Sequence, residues 1–313
     1  MKITVSVPGP RNLSYLPIDL ISRIGADRDE GARVVLRHTG GGAVALQHLI
    51  SYNSDFAVVG LPAVMSQRVN GSDVVALAAV DDLPLFVLMV RSDLREKVKR
   101  ISDLKGRVLG VNTSSLTSKT TSQQLMELVL RSAGVSPWQV RIIPAGQSWN
   151  EQSSMLLSGM VDAVMGDEPF ATRLLSDGKV FFLMNLGDPQ TARSIPGGGF
   201  LHAVLSTRSD LIQSEPRKAE IMIKILQRTL RWVAAHTPEQ IAEKLQITDT
   251  EEKKFLIAAL KKYPRIYSPD GRFSTKQLNE TERFFHQTSG TDPKAMSLVL
   301  EKMVMDRWAG RKE

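Results

Sequence analysis

Leu49-Ile50-Ser51-Tyr52-Asn53-Ser54-Asp55 runs into the apolar stretch Phe56-Ala57-Val58-Val59. About 107 residues later Leu156-Leu157-Ser158-Gly159-Met160-Val161-Asp162 runs into Ala163-Val164-Met165. Each copy reads as a helix end, a turn and a buried strand. The likeness extends upstream: strand-like runs at Ile3 to Val7 and Arg33 to Arg37 precede the first copy, and runs at Arg107 to Val111 and Gln139 to Ile143 precede the second at nearly equal spacing. Helix-length stretches lie between them, with apolar residues at three- and four-residue intervals, as in Leu46, Leu49, Ile50 and Leu125, Leu128, Val129. The chain therefore holds two βαβαβ units. Strands alternating with helices at this pitch predict two mainly parallel α/β sheets, each covered by helices, with crossovers of fixed hand. Two such lobes leave a cleft, and ligands of open α/β sheets bind outside the carboxyl ends of the strands.

A chain of 313 residues has room for two cored lobes. With 42% hydrophobic and 23% charged residues it has an ordinary globular composition. No apolar run approaches the roughly 20 residues that span a bilayer, and Met1-Lys2 leads straight into a strand-like run instead of a signal peptide. The expectation is a cytosolic protein or one whose leader has been removed. Cysteine is absent, which excludes disulfides, thiolate metal sites and cysteine nucleophiles. His38, His48, His202, His236 and His286 form no close pair at metal-ligand spacing, so no metal is expected. The net charge of +7 comes from Lys and Arg interspersed with acids, as in Lys244, Glu251, Glu252, Lys253 and Lys254, without interleaved aromatics. That pattern reads as a solvated basic surface and not as a nucleic-acid face, and its field favours the approach of anions.

The organisation expected from these runs is residues 1–91 as the first part of lobe 1, residues 92–199 as lobe 2, and residues 200–313 as the return to lobe 1. The crossing is read at the charged stretch Arg91 to Lys105, which places the apolar run Leu85 to Val90 in lobe 1. Gly197-Gly198-Gly199 is either a hinge or a plain loop. Phe200 to Ser206 reads as a strand returning to lobe 1, and helices beyond Glu215 are expected to brace that lobe.

Ile101-Ser102-Asp103-Leu104-Lys105-Gly106-Arg107-Val108-Leu109-Gly110-Val111 resembles a stretch of type II periplasmic solute-binding proteins, I-x-D-L-K-G-K-x-I-G-V. Leu156 through Gly166-Asp167-Glu168-Pro169-Phe170 resembles their A-L-x-x-G-x-V-D-A-x-x-x-x-E-P-F stretch. The likeness covers almost the whole chain and is greatest to the branch that captures nitrate, sulfonates, taurine, bicarbonate or thiamine-precursor pyrimidines for ABC importers. It implies a two-lobed type II periplasmic-binding-protein fold with a helical C-terminal extension on lobe 1. It further implies a small-molecule ligand, an ABC permease as partner, a monomer and a periplasmic location. The chain lacks the cysteine-rich catalytic segment of the yeast-type pyrimidine synthases that share the fold.

Candidate ligand contacts follow the strands. Arg11, next to Asn12, has the fork geometry to pair with a carboxylate or sulfonate, and Tyr15 is suited to stack on a planar ligand; the alternative is a solvated Arg11 with Tyr15 packed at a helix start. Thr39, Gly40, Gly41 and Gly42 precede a helix, where backbone N–H groups can approach an anion, or form a structural turn. They match neither a Walker motif nor a complete dinucleotide fingerprint, so no cofactor is expected. Gly60 and Leu61 are a weaker signal, usually only a turn. In lobe 2, Thr113, Ser114 and Ser115 are candidate hydrogen-bond donors or N-caps, and Trp149 is either a pocket wall or an indole packed at the lobe surface. Asp167 and Glu168 place two acids at the cleft edge, to accept from a ligand or to pair with lobe 1 cations such as Arg11. Three classes of function fit such a chain. A binding protein for a small polar or anionic organic solute leads. A small-molecule enzyme on the same fold would need an acid or base such as Asp167, Glu168 or His38. A regulator's sensing domain would need a preceding helix-turn-helix, which is not seen before Ile3.

Overall fold

The structure, a computed structural model, describes residues 1–114, 119–290 and 292–313. The strands of its two large sheets are β1 (Lys2–Val7), β2 (Arg33–His38), β3 (Phe56–Gly60), β4 (Val74–Ala79), β5 (Phe86–Arg91), β6 (Val108–Val111), β7 (Arg141–Pro144), β8 (Ala163–Asp167), β9 (Val180–Asn185) and β10 (Ala203–Arg208). One sheet has the order β2-β1-β3-β10-β4 and the other β7-β6-β8-β5-β9. In each, three strands pair in parallel and the fourth position runs antiparallel to its neighbours. The two halves of the repeat thus build the same sheet. β3 and β4 are buried along their whole length, as their unbroken Val and Ala content requires of strands covered on both faces.

The repeated aspartate explains part of the duplicated motif. Asp55 Oδ2 accepts from Thr4 N–H at 2.7 Å, and Asp162 Oδ2 accepts from Val108 N–H at 2.9 Å. Their own N–H groups donate to Thr4 O and Val108 O. Each aspartate therefore closes the open end of its sheet at the same place, satisfying a backbone donor that the ladder leaves unpaired.

The structure corrects the expected crossing. The strand Phe86–Arg91, expected in lobe 1, is hydrogen-bonded between β8 and β9 in the second sheet. The chain changes sheets at Val80 to Leu85, before this strand, and returns between β9 and β10. β5 and β10 are equivalents: each occupies the antiparallel slot of a sheet immediately after a crossing. An apolar run of this length is compatible with either sheet, so its pairing was not written in its own residues.

The helices Leu16–Ile24 and Pro216–Ala234 cover one face of the first sheet, and Gly42–Ile50 and Leu61–Val69 the other. Thr121–Ser132 covers one face of the second sheet, and Trp149–Leu157 with Phe170–Ser176 covers the opposite one. The C-terminal helices brace the first lobe through Leu13, Leu16 and Leu20 against Leu256 and Leu260. They also reach the second lobe, where Phe284 joins Phe86 and Phe200 in its core. Gly197, in the triple glycine, has φ +70°, and an added Cβ would lie 2.5 Å from Glu280 O and Phe284 N. Close backbone packing against the helix Thr275–Ser289 accounts for glycine there.

Candidate functional site

The carboxyl ends of the strands in both sheets face one another, and the lobes touch. Leu13 N–H, in the loop after β1, donates to Glu168 O after β8 at 2.9 Å. Gln124 Nε2, from the second lobe, donates to Pro62 O at 3.2 Å and Ser66 Oγ at 3.1 Å. Gly41 and Gly60 mark close approaches: a Cβ would lie 3.1 Å from Thr113 O at the first and 2.2 Å from Thr121 Oγ1 at the second.

Asp167, the last residue of β8, is buried at the centre of this contact. Its Oδ2 accepts from Gln152 Nε2 at 2.9 Å, Asn112 Nδ2 at 3.2 Å and Gln147 Nε2 at 3.4 Å. Burial pushes the Asp167 carboxyl above its ordinary value. The Gln152 hydrogen bond, the nearby Asn12 side chain, the charge of His202 and the Asn112 amide pull it back. Asn112 Oδ1, Gln152 Oε1 and Thr121 Oγ1 are also buried and have no hydrogen-bond partner among the described residues. Such groups carry a desolvation cost of about 1–3 kcal/mol each unless something pairs with them.

A second buried line lies beside it. His202 Nδ1 is 3.4 Å from Asp81 Oδ2, and Nε2 is 3.4 Å from Tyr15 Oη. Phe86 sets its ring edge-on to the imidazole at 4.7 Å. Asp81 Oδ1 accepts from Ala203 N–H at 2.8 Å, so Asp81 on the outgoing crossing is tied to the strand that follows the returning one. Burial raises the Asp81 carboxyl, with His202 opposing. Burial also raises the Tyr15 phenol well above its ordinary value, and the Asp167 and Asp81 charges add to the shift.

Glu168 does not pair with Arg11. Its buried carboxylate accepts from Thr172 N–H and Thr172 Oγ1, both at 2.9 Å, and from Tyr263 Oη at 3.1 Å, with Lys262 Nζ at 3.5 Å. Arg11 pairs instead with Glu252 on the helix Thr250–Lys262, one of those in the C-terminal part of the chain. With that partner taken, Arg11 is not the free anion anchor that its position after β1 suggested. A cavity of about 310 Å³ opens next to it, lined also by Trp149.

The remaining sequence candidates sort by geometry. Asn12 caps the turn Leu13–Tyr15, its Oδ1 accepting from Ser14 N–H at 3.0 Å. Thr39 Oγ1 bonds Val7 O and Gly41 O, a turn role, and Gly40 adopts φ +81°. Gly42 begins its helix and is buried. Leu61 turns its side chain into the first lobe's core while its N–H donates to His202 O at 2.7 Å. Thr113 meets Gly41 through its backbone, and Ser114 Oγ pairs with Gln123 Oε1 at 2.5 Å. Ser115 lies outside the described residues. His38 sits near the surface against Asp19 at 3.1 Å, away from the buried cluster. Sequence reading missed Asp81, His202, Asn112, Gln147 and Gln152 as site groups. Asn112 and Gln147 stood in the loops already singled out, and their amides were the available signal. Among the described residues no group of three His, Asp or Glu side chains is placed to hold a metal ion.

This arrangement has counterparts. A sequence profile described as NMT1/THI5 like matches residues 28–241. The chain belongs to the NMT1/THI5-like family. Its fold is that of the periplasmic binding proteins, and the solved structures it resembles include sulfonate- and nitrate-binding proteins. A protein from Bordetella bronchiseptica RB50 superposes with a TM-score of 0.87 at 21% identity, covering 98% of this chain and 95% of that one. The alkanesulfonate-binding protein SsuA from Xanthomonas axonopodis pv. citri, bound to MOPS, gives 0.77 at 13% identity over 97% and 98%. The desulfurization enzyme DSZB gives 0.62 at 16% identity over 98% and 97%. No curated protein matches the sequence.

Proposed function

We propose that this member of the NMT1/THI5-like family is the substrate-binding protein of an ABC importer. It captures a small polar organic solute between its lobes in the periplasm and presents the closed form to an inner-membrane permease. The observation that carries this reading is the buried polar cluster where the two sheets' loops meet, centred on Asp167, with carbonyl and hydroxyl oxygens of Asn112, Gln152 and Thr121 left without partners among the described residues. Atoms of this kind, lining a closing cleft from a loop and two helix starts, are what orient a ligand in a mostly pre-formed site. The bodies that close are residues 1–85 with 200–313, and residues 86–199. Because the Asn112 and Gln152 oxygens beside this carboxyl are acceptors, while Thr121 Oγ1 and Asn12 Nδ2 are able to donate, the solute presents N–H or O–H donors together with an acceptor of its own. This favours an amphoteric or hydroxylated organic molecule over a bare inorganic anion. The exposed tips of both lobes would meet the permease.

An enzyme is the second reading, favoured by the buried Tyr15, His202 and Asp81 line and by the occurrence of this fold in a desulfurization enzyme. A thermal-shift screen separates the two. The protein is tested against amino acids, taurine and alkanesulfonates, carboxylates, nitrate, bicarbonate and thiamine pyrimidines, with calorimetry and product analysis on each hit. A ligand at 100 times its Kd adds about 2.7 kcal/mol to stability. Binding of a donor-bearing solute without turnover supports capture; consumption of the hit transfers the assignment to the enzyme, and preference for nitrate over every organic solute rejects the donor argument.

A further inference from the structure

At the mouth of the cleft a cavity of about 310 Å³ is walled by parts of the chain far apart in sequence: the loop carrying Arg11, the helix start at Trp149, the helix carrying Phe170 and Arg173, and the helix carrying Phe255. Its volume lies at the lower end of ligand pockets, roughly 300–1,000 Å³. Two acids also line it, and both are engaged. Glu252 pairs with Arg11, and Asp249 spends its Oδ1 on the N–H groups of Glu251 and Glu252 at the start of the helix Thr250–Lys262. Arg173 is different. Its guanidinium lies 4.1 Å from the ring centre of Trp149 and 5.9 Å from that of Phe255. Although its charge is among the influences, led by the Glu252 N–H group, that lower the Asp249 carboxyl, its side chain makes no hydrogen bond or ion pair among the described residues. Stacking fixes the plane of the fork and leaves its N–H edge to seek a planar acceptor. The Phe170 and Phe255 rings supply apolar surface beside it.

We infer that this vestibule is a second binding site, distinct from the Asp167 cluster, which takes a small planar organic carboxylate with its charge on Arg173 and its ring against the phenylalanines. The inference goes beyond capture at the buried cluster and stands whatever solute that cluster takes.

The probe is benzoate, titrated into the full chain by calorimetry and by tryptophan fluorescence, with benzyl alcohol as the neutral match. Benzoate binds and benzyl alcohol does not. Arg173→Gln, which gives up the stacking on Trp149 and Phe255 but no hydrogen bond among the described residues, keeps a cooperative fold with at most a modest fall in melting temperature, and weakens benzoate by roughly tenfold or more, the loss expected for a charged hydrogen bond. Asp167→Asn leaves benzoate affinity unchanged, which separates this site from the buried cluster. Any one of three results overturns the proposal: no benzoate binding up to about 10 mM, equal binding by the Arg173→Gln protein, or loss of benzoate binding with Asp167→Asn.

Discussion

Replacing Gly60 with alanine tests whether the contact between lobes is a closed state that the chain must reach. Gly60 has φ −65° and ψ 129°, an ordinary conformation for any residue, so the substitution leaves β3 unstrained. The new methyl would stand 2.2 Å from Thr121 Oγ1 and 3.0 Å from His202 Cδ2 and Nε2, where ordinary contact begins at 3.4 Å. Thr121 is a buried, β-branched residue opening a helix, with few rotamers to retreat to. His202 stands between Asp81 and Tyr15. Overpacking of this order costs about 1–3 kcal/mol. Because Thr121 belongs to the opposite lobe, its much closer clash falls on the closed form alone, whereas the milder contact with His202, which shares the lobe of Gly60, is felt in both forms. The closed population and the affinity for any interlobe solute drop by about 5- to 150-fold. Small-angle scattering reads the population and calorimetry the affinity. Thr121→Ala, added to Gly60→Ala, removes the clashing oxygen, which has no hydrogen bond to lose among the described residues, and restores much of the closure. An unchanged scattering curve and affinity for Gly60→Ala, or failure of the second change to rescue, refutes the reasoning.

Three further outcomes follow from the same contacts. Burial raises the Asp167 carboxyl, so the folded form holds the proton more tightly than the unfolded chain. The resulting stability is fully present below the ordinary carboxylate value, near pH 4, and is lost as pH rises through the raised one. Thermal melts from pH 4 to 7 therefore show a flatter fall for Asp167→Asn than for the parent, the difference being at most about 1.4 kcal/mol per pH unit; identical slopes exclude Asp167 as a titrating group. Glu168→Ala strips a buried acceptor from Tyr263, Lys262 and Thr172, and lowers stability in urea by about 1–3 kcal/mol, whereas a loss below 0.5 kcal/mol would mean that the contact carries little. Gly197→Ala, with its Cβ driven into the backbone of Glu280 and Phe284, destabilises by about 1–3 kcal/mol; a hinge glycine would change the open-to-closed ratio in scattering without that loss.

Sequence periodicity was enough to read the repeat, because apolar residues spaced for strands and helices report burial directly, and the duplicated aspartates mark equivalent sheet ends. It did not reveal which sheet Phe86–Arg91 joins, since pairing depends on neighbours that lie about 75 residues further on at β8. The loops of the cleft were legible as glycine- and hydroxyl-rich turns after strands. Their chemistry was less so. Arg11 looked unattached because Glu252, its partner, comes 241 residues later. His202 and Asp81 meet across half that separation, and neither carries a local motif. Glu168 was readable as an interlobe contact, but its partners proved to be Lys262 and Tyr263 of a tail that showed no ligand chemistry of its own.

The two antiparallel slots also set an order of events during synthesis. The second sheet is complete once residues 86–185 have emerged, because all five of its strands lie within that span. The first sheet must wait: β3 and β4 have no partner between them until β10 arrives at Ala203–Arg208. In that interval two wholly apolar strands offer unpaired edges to any neighbouring chain. A nascent chain paused between residues 80 and 203 is thus the species most exposed to aggregation, and it is there that a holding chaperone would have its greatest effect on yield.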